Sequence, residues 1–95
     1  MIAIEWQDEN GNCLGTYDGP PLTWEIMKHV PPSTACLRFI DPAGDATFNQ
    51  LQIPVLVEEL EAWANGYPAP AIRHVMNFAR GALGQVHTYL KFIGD

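Results

Sequence analysis

The side chains best suited to hold zinc or to pair a nucleophile with a base are three histidines, His29, His74 and His87, and two cysteines, Cys13 and Cys36. Zinc sites draw their ligands from closely spaced pairs. Here the histidines stand 45 and 13 residues apart, and neither cysteine belongs to a CxxC pair. The spacing predicts no metal centre and no bound cofactor. Ordinary roles are open to all three histidines: His29 at a helix end, His74 on a helix flank and His87 exposed on a strand. Asp8-Glu9-Asn10-Gly11-Asn12 sets oxygen ligands at alternate positions, as a calcium loop does. Such a loop starting at Asp8 needs Gly sixth and Glu twelfth, and Cys13 and Gly19 stand there instead. Cys36, His87 and Asp41 are the residues from which a catalytic triad would have to be assembled. No GxSxG elbow or Gly-rich phosphate loop accompanies them, so the sequence points away from an enzyme.

The elements that would carry these groups follow from periodicity. Ile2, Ile4 and Trp6 alternate with Ala3, Glu5 and Gln7, the period of a half-buried strand. Asn10-Gly11 offers the two positive-φ positions of a tight hairpin turn, which predicts an antiparallel return over 13–17. Leu22, Ile26 and Val30 predict a short helix ended by Pro31-Pro32. Strand formers at 36–40, a turn at 41–45 and a partner strand at 46–49 predict a second hairpin. Pro54 opens a helix at 54–65 with an apolar stripe of Leu56, Val57, Leu60, Trp63 and Ala64, closed by a left-handed cap at Gly66. Ile72, Val75, Met76, Ala79, Ala82 and Leu83 line one face of a further helix at 70–83. Beyond it, 86–93 is dense in β-branched and aromatic residues and is read as a final strand. Helical spacing of the polar residues 73, 77, 80, 84, 87 and 91 supports the opposite reading, at a cost of about 1 kcal/mol for each of Gly81 and Gly84.

These elements predict a single α+β domain over 1–95: a small antiparallel or mixed sheet of two β-hairpins and a C-terminal strand, with two main helices packed on one face. The first residues lack a positively charged leader, and no apolar run approaches the roughly 20 residues of a membrane span. A cytoplasmic protein without membrane contact is expected, with Cys13 and Cys36 as reduced thiols packed as small hydrophobes.

Charge is the feature that speaks of partners. Ten of the eleven acidic residues lie in 1–61 with only Lys28 and Arg38, giving 2 − 10 = −8, while 62–95 carries +2. A total of −6 and scattered basic residues disfavour nucleic acid. Glu58 and Glu61 are like charges at i, i+3, and none of Glu58, Glu59 and Glu61 has a lysine at i+4. With Asp41 and Asp45 in a turn, they predict an acidic surface that a basic protein partner would read. Trp24 and Tyr67, beside Pro-rich breaks, have the composition of interface anchors. Small size, acidity and the lack of catalytic motifs resemble, in type only, the immunity proteins that neutralise bacterial toxins. The reading is a non-catalytic protein-binding module whose partner is a basic protein such as a toxin domain. Its alternatives are a homodimer paired through an open sheet edge, and a small enzyme or ligand-binding domain with a pocket between sheet and helices.

Overall fold

The computed structural model describes residues 2–94. Strand β1 (Ala3–Asp8) pairs on one side with β2 (Cys13–Thr16) and on the other with β4 (Thr88–Ile93), which pairs in turn with β3 (Asp45–Asn49). Every pairing is antiparallel, in the order β2-β1-β4-β3. In register, Ile4 stands opposite Phe92 and Trp6 opposite Leu90, while Ala46 and Phe48 complete the same two rows from β3. These side chains share one face by the two-residue period of a strand. The Phe48 and Phe92 rings meet edge to face with centroids 5.7 Å apart.

Helices α2 (Ile53–Gly66) and α3 (Pro70–Arg80) supply the other half of the core. Ile53, Leu56, Leu60 and Trp63 of α2, and Ile72, Val75, Met76 and Ala79 of α3, are buried at helical spacing. Each fully buried leucine or isoleucine stabilises the fold by roughly 1.5–3 kcal/mol. No helix among the described residues is long and apolar enough to cross a membrane.

Several local expectations are corrected. The β1–β2 hairpin forms, but only Gly11 has a positive φ, at 82°. The Asp8 carboxylate accepts the backbone N–H groups of Asn10 and Asn12, each at 2.9 Å, and this opens the turn beyond a two-residue loop. The second hairpin is absent: Leu37–Phe39 is a single 3-10 turn, and β3 pairs with β4 across both helices. The reason lies 22–24 residues away, where Glu59 accepts the N–H groups of Ala35, Cys36 and Leu37, donors that a strand would need for its ladder. The helix expected over 22–30 is one turn, α1 (Trp24–Met27). His29 N–H and Val30 N–H then bond three residues back, tightening the chain before Pro31.

Gly66 has no left-handed cap. It remains helical, and α2 ends at extended Tyr67, φ −132°, because the residue before Pro68 is excluded from helical space. Helix α3 stops at Arg80 rather than 83, and Gly84 at φ 77° and His87 at φ 55° redirect the chain into β4. The strand reading of the C-terminal segment therefore holds. His87 occupies the turn before β4, not the strand itself.

Candidate functional site

Between α1 and the 3-10 turn lies a groove of about 280 Å³, lined by Trp24, Met27, Val30, Leu37 and Ile40 together with the basic residues Lys28 and Arg38. Trp24 is 57% exposed and Phe39, in the 3-10 turn, is 58% exposed, large values for side chains that a core normally absorbs. Thr23 caps the α1 turn, its hydroxyl accepting the Ile26 N–H at 3.3 Å, and this fixes Trp24 at the first helical position. The far wall is held by Glu59: Oε2 accepts from Ala35 at 2.5 Å, and Oε1 from Cys36 at 2.9 Å and Leu37 at 3.1 Å. Thr34 Oγ1 adds a bond from the Arg38 N–H at 3.0 Å. Partial burial pushes the Glu59 carboxyl up, but the three N–H donors and the Arg38 charge outweigh it and hold the group below the usual carboxylate range. The Arg38 guanidinium lies over the Phe39 ring at 4.8 Å.

The acidic residues Asp41, Asp45, Glu59 and Glu61 have separate local partners. Asp41 follows Ile40 in the chain, its Oδ1 accepting the Ala43 N–H at 2.8 Å. Asp45 begins β3 opposite Ile93, with Lys91 Nζ 3.9 Å from its Oδ2. Asp8, opposite Thr88, is at the other end of the sheet, about 17 Å along β1 by the rise per residue. On α2, Glu58 is exposed, Glu59 serves the groove wall, and Glu61 pairs with Arg80 of α3 at 2.6 Å. The strain anticipated between Glu58 and Glu61 is thus relieved from a neighbouring helix.

Tyr67 belongs to a second, larger cleft of about 480 Å³ at the α2–α3 connection, lined also by Pro68, Pro70, Arg73, His74 and Asn77. His29 stacks on the Tyr67 ring at 4.7 Å and 24°, and does not cap α1 with its side chain. Neither concavity lies between sheet and helices, since no strand residue lines either one.

The groups considered for a triad have separate partners. His87 Nδ1 stands 3.6 Å from Glu9, Asp41 bonds Ala43, and Cys36 Sγ faces the Gln52 carbonyl at 3.9 Å. Burial, and then the Glu59 charge, push the Cys36 thiol up, the reverse of an activated nucleophile. Cys36 is a buried free thiol as anticipated, whereas Cys13 is exposed on edge strand β2. Among the described residues, no three His, Cys, Asp or Glu side chains are grouped to hold a metal ion.

The sequence reading did not single out Phe39 as exposed, nor Arg73, His74 and Asn77 as the lining of a cleft. Strand alternation puts Leu37 and Phe39 on the same side, but the three-residue turn separates them, burying Leu37 and exposing Phe39. Arg73 and Asn77 keep the helical spacing of exposed polar residues, and nothing in that spacing signals a cleft. No protein-family model, curated protein or solved structure matches this chain.

Proposed function

We propose that this chain is a non-catalytic protein-binding module that docks a basic protein partner at the Trp24 groove. The observation that carries the reading is Trp24 itself, a large amphipathic ring standing more than half in water beside an apolar groove of about 280 Å³. Interfaces concentrate binding energy in such aromatic anchors set next to pockets that accept a side chain of the partner. Glu59 fixes the groove wall before binding, which lowers the ordering cost of association.

The net charge of −6 favours a basic partner through long-range steering, although Lys28 and Arg38 are the charged residues that line the groove itself. An intracellular bacterial toxin domain with a basic active surface is the partner class that suits this charge. A cytoplasmic inhibitor of the immunity type is the corresponding biological role.

Affinity capture from native lysate, with wild type and Trp24→Ala as parallel baits at low and high salt, tests the reading. It predicts a basic protein retained by wild type, released as salt rises, and lost from Trp24→Ala. Retention that ignores both salt and the substitution would refute it. Self-association is a second reading, favoured by β3, an edge strand of five residues without a bulge or proline. Sedimentation at two concentrations separates it from the first.

A further inference from the structure

We infer that the cleft at the α2–α3 connection is a binding site for a small organic anion, a phosphate or carboxylate joined to a flat ring. The cleft's volume of about 480 Å³ lies within the range of small-molecule sites. Arg73 and His74 line it and no carboxylate does, in a chain whose net charge is −6.

Lys28, Arg80 and Lys91 each face a carboxylate, whereas the partner of Arg73 among the described residues is the neutral Asn65 amide, Nη2 to Oδ1 at 3.1 Å. That bond steadies the guanidinium and leaves its charge and remaining donors for a ligand. Asn77 stands one turn from Arg73 (i, i+4) and from His74 (i, i+3), and all three line the cleft. The first turn of α3 contains no acidic side chain, and its N-cap residue, Ala69, has no side-chain cap, so the positive end of the helix dipole is unopposed there.

Tyr67, Pro68 and Pro70 line it as well, apolar surfaces suited to a ring. Tyr67 is held in place by the His29 stack at 4.7 Å and by Trp63 at 6.4 Å and 28°. The site is independent of the Trp24 groove, and its test does not involve a protein partner.

Phenyl phosphate, benzoate and inorganic phosphate titrated into the full-length protein, followed by two-dimensional NMR, provide the test. Saturable shifts confined to Ala71–Asn77 and Tyr67 are expected with phenyl phosphate, benzoate or both, and the stronger of the two identifies the anion. Inorganic phosphate should bind at least threefold more weakly than phenyl phosphate. Arg73→Gln should weaken binding at least tenfold while the remaining spectrum keeps its dispersion, since Arg73 is exposed and outside the core. The inference is overturned if neither ring-bearing anion gives saturable shifts, if the shifts survive Arg73→Gln, or if inorganic phosphate binds as tightly as phenyl phosphate.

Discussion

Replacing Glu59 by Gln tests whether one carboxylate holds the groove wall. The substitution preserves size and leaves a single acceptor oxygen where two now take the N–H groups of Ala35, Cys36 and Leu37. One bond is lost and two fall from charge-assisted to neutral strength. Hydrogen bonds to charged groups contribute about 1.5–3 kcal/mol and neutral ones about 0.5–1.5 kcal/mol. Ala35 is exposed and can be rehydrated, and Glu59 is itself partly open to solvent, so the sum is discounted to about 2 kcal/mol.

For a domain of this size, that corresponds to a fall in Tm of about 8–15 °C. The pH dependence has a definite sign. The folded carboxyl is held below the usual carboxylate range, so its contribution is complete above that range and disappears as pH falls through the folded value. Urea denaturation followed by tryptophan fluorescence should therefore give a difference of about 2 kcal/mol at pH 7 that shrinks as pH falls through the folded value. Asp8, also held low, titrates in both proteins and cancels from the difference. A difference under about 0.5 kcal/mol at pH 7, or one that does not shrink in acid, would refute the reasoning.

Gly94→Ala should destabilise by at least about 2 kcal/mol in the same urea assay. Its Cβ would sit 2.3 Å from Gly44 N and O and 2.6 Å from Asp41 O, backbone atoms that cannot rotate away. Gly11→Ala should cost about 1–2 kcal/mol, because the turn requires φ 82° there although the space around it is open. A double-mutant cycle on Glu61 and Arg80 should yield a coupling of only about 0.5 kcal/mol, since both side chains are about half exposed, and the coupling should fall with added salt.

Residues whose structure is set by near neighbours were legible in the sequence. Ile4 and Trp6 alternate as a strand and lie in one. The stripe Leu56, Val57, Leu60 and Trp63 describes α2, and the β-branched and aromatic run before Ile93 forms β4. Where a distant group decided the outcome, local pattern failed. Cys36–Ile40 has strand-forming residues, yet Glu59 takes the N–H groups that would have paired. Gly66 follows Asn65 as a capping glycine would, but the backbone restriction imposed by Pro68 ends the helix one residue later.

Candidate site residues divide in the same way. Trp24 was identifiable because Pro20-Pro21 and a short helix leave little chain to bury it. The carboxylates were not, because Glu61 finds Arg80 across two helices and Asp45 finds Lys91 across two strands, partners that lie 19 and 46 residues away in sequence. A charge sum over 1–61 cannot register such pairs. It also cannot show that Asp8 and Asp45 stand at opposite ends of the sheet.

The central claim is that Trp24 anchors a protein partner, and calorimetric titration of the captured partner into wild type and Trp24→Ala tests it most directly. Because Trp24 is 57% exposed, its removal should shift the urea midpoint little, within about 0.5 kcal/mol in stability. Affinity should nevertheless fall by about 2 kcal/mol or more, roughly 30-fold. Equal affinity of the two proteins, within twofold, would contradict the account.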